Sequence, residues 1–192
     1  MRKSRLEAFS DGIIAIIITI MVLELKAPHG SSLDSLKPLV PVFVSYILSF
    51  INIAIYWNNH HHMFHAADKV NGSVLWANIH LLFWLSLVPF VTAWMGENNF
   101  TTIPVALYGF VLLMSGVAYF ILGHQLISVN GKDSVLAIAF GKNKKGIASI
   151  ILYATGIGLS FLNSWLGLAA YALVTALWII PDKRIEDKVF DP

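Results

Sequence analysis

The fold class of this chain is decided by the stretch Arg5-Leu-Glu-Ala-Phe-Ser-Asp-Gly-Ile-Ile-Ala-Ile-Ile-Ile-Thr-Ile-Met-Val-Leu-Glu-Leu25. Positions 6–25 are mostly apolar, and about 20 such residues are what a helix needs to cross the hydrocarbon core of a membrane. The run ends in Glu24-Leu-Lys26 and has no small-residue cleavage site of the kind that follows a secretory signal. We therefore predict that it is a retained first transmembrane helix.

Five further apolar stretches follow, and the six together occupy most of the chain. The protein has 192 residues, of which 57% are apolar and only 12% are charged, and its mean hydropathy is +0.70. A soluble domain carries about twice that share of charged residues, so a water-soluble fold is excluded. We predict an all-α integral membrane protein in which residues 1–192 form one unit of six transmembrane helices. The predicted spans are 6–25, 39–59, 74–95, 103–127, 147–162 and 165–181.

The distribution of lysine and arginine predicts the orientation of these helices, because cytoplasmic loops are enriched in both residues. If the N-terminus is cytoplasmic, eleven basic residues lie inside and only two, Lys26 and Lys37, lie outside. Both termini are therefore predicted to be cytoplasmic. The eleven inner residues are Arg2, Lys3, Arg5, Lys69, Lys132, Lys142, Lys144, Lys145, Lys183, Arg184 and Lys188.

Composition and motif content exclude several functions. The net charge of +2 is too small to indicate a nucleic-acid-binding surface. The chain has no cysteine, which removes thiol nucleophiles and cysteine-ligated metals. His61 and His65 have the i, i+4 spacing of two metal ligands, but no glutamate or cysteine completes a site. No enzyme activity, metal centre or other cofactor is expected.

Ionisable residues inside apolar spans carry the strongest functional signal, because a charge in the bilayer is costly unless it is paired or faces water. Asp11 lies about one to two turns inside the first span. The second span ends in a histidine-rich stretch that begins at His60. Asp11 is therefore expected to belong to a structural hydrogen-bond network or, alternatively, to act as a proton-relay or ion-binding carboxylate.

Three short motifs carry a resemblance to a known family. The first is Arg-x-x-x-Phe-Ser-Asp, formed by Arg5, Phe9, Ser10 and Asp11. The second is Trp57-Asn-Asn-His60-His61-His-Met-Phe64, and Asn78 with Pro89-Phe90 form the third. Together with the number and length of the spans, they resemble the bacterial relatives of transmembrane protein 175, a lysosomal potassium channel. The resemblance covers the whole chain, and the Phe-Ser-Asp element is its most specific part.

The resemblance implies a homotetramer in a bacterial plasma membrane, in which the first helix of each subunit lines a central pore that conducts potassium. It implies that bulky aliphatic residues form the narrowest point, with Ile16, Ile20 and Leu23 at the matching positions. It also implies that the Phe-Ser-Asp motif packs behind the pore and holds the assembly together. The expected partners are other copies of the chain, the lipid bilayer and monovalent cations.

A helical wheel separates these two groups of residues. At about 100° per residue, Leu23 and Ile20 lie within roughly 40° of Ile16, whereas Asp11 lies about 140° away. If the Ile16 face lines the axis, Asp11 points into the protein. We then expect Asp11 and Ser10 to bond a histidine (His60 or His61) and the Trp57 indole, with Arg5 adding charge.

Two residues near the predicted pore face have two interpretations each. Thr19 could coordinate a partly dehydrated ion, or it could bond only to the carbonyl four residues earlier in its own helix. Four copies of Glu24 could attract cations at the outer mouth, or each could simply reach interfacial water.

The predicted function is a weakly potassium-selective channel with a hydrophobic constriction. No Thr-Val-Gly-Tyr-Gly filter loop is present, so selectivity would come from the aliphatic constriction itself. Histidine protonation could make conduction sensitive to pH. The alternative function is a proton-coupled secondary cation transporter, although the internal repeats typical of transporters are not found in the sequence.

Overall fold

The computed structural model describes residues 3–140 and 144–179, and every regular element among them is helical. The elements are α1 (Lys3–Leu23), a 3-10 helix (Leu33–Leu39), α2 (Val40–His65), α3 (Gly72–Ser86), α4 (Val88–Glu97), α5 (Thr102–Asn130), α6 (Val135–Phe140), α7 (Lys144–Ser160) and α8 (Ser164–Ile179). The expected all-α class is confirmed for these residues. The basic residues Arg2, Lys142, Lys183, Arg184 and Lys188 and the end of the sixth predicted span lie outside them.

Four helical segments in the described ranges are long and apolar enough to cross a membrane. They are Lys3–Leu23, Leu33–His65, Gly72–Glu97 and Thr102–Asn130, and they coincide with the first four predicted spans. Helices α7 and α8 have 17 and 16 residues. At about 1.5 Å per residue each is roughly 25 Å long, a few ångströms less than the hydrocarbon core.

The third predicted span is broken into two helices. Helix α3 ends at Ser86, and α4 begins at Val88 with Pro89 in its first turn. Proline has no N–H to donate, and its ring clashes with the carbonyl four residues earlier. The backbone hydrogen bonds are therefore interrupted at Leu87, and the segment continues as α4.

Two other parts of the chain differ from the sequence prediction. Helix α2 continues to His65 instead of ending near residue 59, so the histidine-rich stretch is helical. The connection after α5, expected to be a loop, contains the short helix α6. Gly131, with φ of 98°, ends α5, because glycine adopts this conformation without a steric penalty.

Helix α5 lies at the centre of the subunit and packs against α3, α4, α7 and α8. Close approach of α7 to α8 and of α5 to α8 depends on glycine. A Cβ atom at Gly156 would lie 2.6 Å from Cε1 of Tyr171, and one at Gly109 would overlap the same ring. Close packing of small residues is a main source of helix association in membranes, and here it holds the scaffold helices together.

Hydrogen bonds between side chains also join the interior helices. Ser49 of α2 lies 2.7 Å from the Thr92 hydroxyl of α4 and donates to the Tyr108 hydroxyl of α5 at 3.1 Å. Asn52 of α2 donates to Thr175 of α8 at 3.0 Å. The inner face of α2 is therefore polar, and its polar groups have partners on three other helices.

Candidate functional site

Helix α1 lies at one edge of the subunit, where it packs mainly against α2, α3 and α4. Its buried side chains are spaced three or four residues apart, as expected for one face of a helix. They are Leu6, Ser10, Ile14, Ile17 and Met21. The other faces of α1 are left for contacts outside the subunit.

The residues predicted to line the pore lie together on the uncovered side of α1. Ile16 is 59% exposed, Ile20 41% and Leu23 73%, and Thr19 is exposed as well. In a soluble protein four such side chains on one helix would be unfavourable. In a membrane they can contact lipid or further copies of the chain.

Thr19 and Glu24 lie toward the far end of this face. The Thr19 hydroxyl donates to the Ala15 carbonyl at 2.9 Å, and its oxygen retains acceptor capacity for a cation. Glu24 is exposed just after α1. It lines a groove of about 480 Å³ together with Lys26 and Glu97, which form an ion pair at 3.5 Å.

A buried chain of hydrogen bonds connects α1 to α2 through α3. The Asn78 amide nitrogen donates to the Ser10 hydroxyl at 2.9 Å, and the Asn78 amide oxygen lies 2.8 Å from His60 Nε2. Because that oxygen can only accept, His60 Nε2 carries the hydrogen. Ser10 in turn donates to the Leu6 carbonyl at 2.9 Å. Ser10 and Asn78 are fully buried and His60 is 2% exposed, so no bulk water competes for these bonds.

A second contact joins α1 and α2 at the surface of the subunit. The Trp57 indole N–H donates to the Asp11 carboxylate at 3.0 Å, as the sequence predicts. His61 stacks on Trp57 with ring centroids 5.9 Å apart, and His65 stacks on His61 at 6.2 Å. Asp11 is exposed in the single subunit, because the buried stripe of α1 runs through Ser10.

The contacts within the single subunit differ from the predicted network. Ser10 reaches a histidine through Asn78 and not directly, and Asp11 is not hydrogen-bonded to a histidine in the described ranges. Arg5 is exposed and forms no ion pair with a described residue, and Phe9 is 53% exposed. Both lie about 100° or more from the buried stripe of α1, which explains why neither reaches the interior.

Lys3 was not predicted as part of the network. Its ammonium group donates to the carbonyls of Phe64 at 3.0 Å and Ala67 at 2.8 Å, at the C-terminal end of α2. Carbonyls at a helix C-terminus lack intrahelical partners and attract cations. Lys3 lies on the same face of α1 as the buried residues, and this periodicity is visible in the sequence.

Among the described residues no cluster of three or more potential ligands could hold a metal ion.

Comparison with known proteins agrees with the motifs. Residues 5–89 match the family model for the endosomal/lysosomal potassium channel TMEM175. The chain is 56% identical over 186 residues to a protein named as a potassium channel from Chryseobacterium sp. (strain P1-3), and the match covers 97% of both chains. It is 29% identical over 184 residues to a potassium channel from Streptomyces collinus, which covers 90% of this chain and 89% of that relative.

The fold leads to the same family. The structure superimposes on the crystal structure of a lysosomal potassium-selective channel TMEM175 homologue from Chamaesiphon minutus with a TM-score of 0.77 and 25% identity, covering 92% of this chain and 96% of the other. The motif resemblance is thereby confirmed over nearly the whole length. With its apolar helices, the chain is a multi-pass membrane protein, and it belongs to the TMEM175 family of channels, not to a family of enzymes.

Proposed function

We propose that this protein is a potassium channel formed by four copies of the chain in the plasma membrane of a bacterium. The observation that carries the proposal is the uncovered aliphatic face of α1, where Ile16, Ile20 and Leu23 are 41% to 73% exposed. In a closed ring of four subunits this face can surround the central axis. Two relatives named as potassium channels and a structural neighbour named as potassium-selective support the choice of ion.

Selectivity in this proposal comes from partial dehydration at a hydrophobic constriction. Four copies of Ile16, Ile20 and Leu23 converge on the axis, where they offer no charge and no ring of carbonyls. Potassium holds its hydration shell less tightly than sodium, so potassium crosses such a constriction at a lower cost. The Thr19 hydroxyls can contact the partly dehydrated ion, and Glu24 raises the local concentration of cations at the outer mouth.

The proposed topology has six membrane-crossing helices and cytoplasmic termini. In support of it, Lys3 at the start of α1 contacts the end of α2. Asn130 at the end of α5 accepts hydrogen bonds from the backbone of Asp68 and Lys69. These helix ends therefore lie on one side, together with Lys3 and Lys69, and an excess of basic residues is typical of the cytoplasmic side. The opposite side holds the Lys26–Glu97 ion pair.

The proposal is tested by ion flux in liposomes that contain the purified protein. We expect passive potassium flux that is faster than sodium flux, does not saturate at moderate concentration and is unaffected by collapse of a proton gradient. Empty liposomes and liposomes with heat-denatured protein are the controls. Flux that requires a counter-transported proton would indicate the alternative, a secondary transporter, and the channel proposal would then fail.

Asp11→Ala is expected to weaken assembly of the tetramer. The substitution removes the acceptor of the Trp57 indole N–H and frees α1 from α2 at the exposed side, where the next subunit would pack. Size-exclusion chromatography with light scattering should show a larger fraction of dissociated subunits, and Trp57→Phe should act in the same direction because it removes the donor.

Asp34→Ala is the matched control for this change. Asp34 is a carboxylate paired with Lys37 on the exposed 3-10 helix, so its loss should leave assembly unchanged. If the Asp11→Ala tetramer stays intact but its ion preference changes, Asp11 is a permeation residue and its structural assignment is wrong.

A further inference from the structure

A small, partly open cavity lies between α2, α5, α7 and α8. Its volume is about 50 Å³, and no residue of α1 lines it. Polar groups on its wall include Asn52, Tyr56, Asn59, Tyr119, Ser149 and Tyr153. Because the cavity is walled by the scaffold helices, it is separate from the face on which the proposed pore forms.

Two tyrosine hydroxyls on this wall have no hydrogen-bond partner among the described residues. Tyr153 is only 3% exposed, yet its hydroxyl has no hydrogen bond to a described residue, and the same is true of the half-buried Tyr56. Every fully enclosed polar side-chain atom in the described ranges has a partner. The two hydroxyls therefore reach the open space of the cavity instead of packed protein.

Other polar groups on the cavity wall are hydrogen-bonded to protein atoms. The Tyr119 hydroxyl donates to the Asn59 carbonyl at 3.3 Å, and the Trp178 indole N–H donates to the Ser149 hydroxyl at 2.8 Å. A buried hydroxyl that lacks a partner costs free energy. Tyr56 and Tyr153 consequently need a small hydrogen-bonding occupant of the cavity.

The volume and the lining residues of the cavity indicate which kind of molecule can occupy it. The described residues of the lining include no carboxylate and no imidazole, so they lack the usual charged or strong ligands of a divalent metal ion. A lipid acyl chain would leave both hydroxyls unpaired. About 50 Å³ has room for roughly two to four water molecules, each of which needs two to four polar partners.

We propose that the cavity is a binding site for a cluster of ordered water molecules that bridges the hydroxyls of Tyr56 on α2 and Tyr153 on α7. Helix α7 packs mainly against α5 and α8. The water cluster therefore provides a polar link between α7 and α2, the helix that holds α1 through Trp57 and His60.

The direct test is a structure of the full-length protein in lipid nanodiscs at a resolution that resolves water. We expect compact density peaks within hydrogen-bonding distance of the Tyr56 and Tyr153 hydroxyls. An empty cavity overturns the proposal, and so does continuous tubular density, which would identify an acyl chain as the occupant.

The sign of a stability change gives an independent test. If water bonds the Tyr153 hydroxyl, Tyr153→Phe removes a satisfied hydrogen bond and should lower the Tm in nanodiscs by about 3 °C. Tyr171→Phe is the matched control, because its buried hydroxyl has a protein partner in Ser160 at 3.3 Å and its removal should lower the Tm similarly. An unchanged or raised Tm for Tyr153→Phe, beside a lowered Tm for the control, means that the hydroxyl was unpaired and overturns the proposal.

Discussion

Replacing Ile16 by asparagine is expected to raise potassium flux through the channel by about tenfold and to reduce its preference over sodium. The barrier at a hydrophobic constriction comes from loss of water around the ion. Four amide groups in place of four sec-butyl groups keep the constriction wet and offer oxygen ligands to any cation. A barrier lower by about 1.4 kcal/mol corresponds to the tenfold gain. Single-channel recording with potassium and sodium under matched gradients measures both effects.

Ile151→Asn is the matched control for this experiment. Ile151 on α7 and Ile16 on α1 are each 59% exposed in the subunit, so the two substitutions introduce the same polar group at equal exposure. Only Ile16 lies on the proposed pore face, and Ile151→Asn should leave conductance and selectivity unchanged. Equal gains in the two variants, or no change in Ile16→Asn, would remove Ile16 from the constriction.

The positions of the first four membrane helices could be predicted from hydropathy, because the bilayer demands about 20 apolar residues for each crossing. The break at Leu87 had a local signal in Pro89, but proline is tolerated in membrane helices, so the sequence did not decide between a bend and an end. Helix α6, with six residues, is too short to produce a helical periodicity.

The supporting network was predicted only in part. The Trp57–Asp11 bond follows from the cost of an unpaired carboxylate in the membrane. The choice between His60 and His61 does not, because consecutive residues differ by about 100° on a helix and the two side chains are identical. Only the packing of α3 against α1 selects His60, by placing Asn78 between it and Ser10.

The face of α1 that is proposed to line the pore could not be derived from periodicity alone. Isoleucines occur on both sides of the helix, buried at Ile14 and Ile17 and exposed at Ile16 and Ile20. In a soluble protein an apolar stripe marks the core, but in a membrane lipid accepts the same side chains. The polar residue Ser10, buried on one face, is the feature that distinguishes the protein-facing side.

Asn78→Leu is expected to cause the largest loss of stability among single substitutions in the supporting network. Leucine fills a similar volume but removes both the donor to Ser10 and the acceptor for His60. The N–H of His60, which is 2% exposed, is then left without an acceptor, at about 1–3 kcal/mol. The fully buried Ser10 hydroxyl keeps its bond to the Leu6 carbonyl but loses the one from Asn78, at about 1 kcal/mol. The Tm in nanodiscs should fall by about 5–10 °C, and the fraction of tetramer should fall with it, because Ser10 anchors the helix proposed to line the pore.

A compensating variant separates the hydrogen bonds from the packing. The triple variant Ser10→Ala, Asn78→Leu and His60→Phe replaces all three polar side chains of this hydrogen-bond network by apolar ones. Such an apolar replacement is close to neutral for stability. The triple variant should therefore recover most of the Tm lost in Asn78→Leu. Asn98→Leu is the control, because the exposed Asn98 amide, one residue after α4, donates to the Trp94 carbonyl of that helix and its loss should change the Tm by about 1 °C or less. If Asn78→Leu unfolds at the temperature of the unmodified protein, Asn78 does not hold α1 in place. If the triple variant is no more stable than the single one, the loss comes from packing around α3 and not from the unpaired groups.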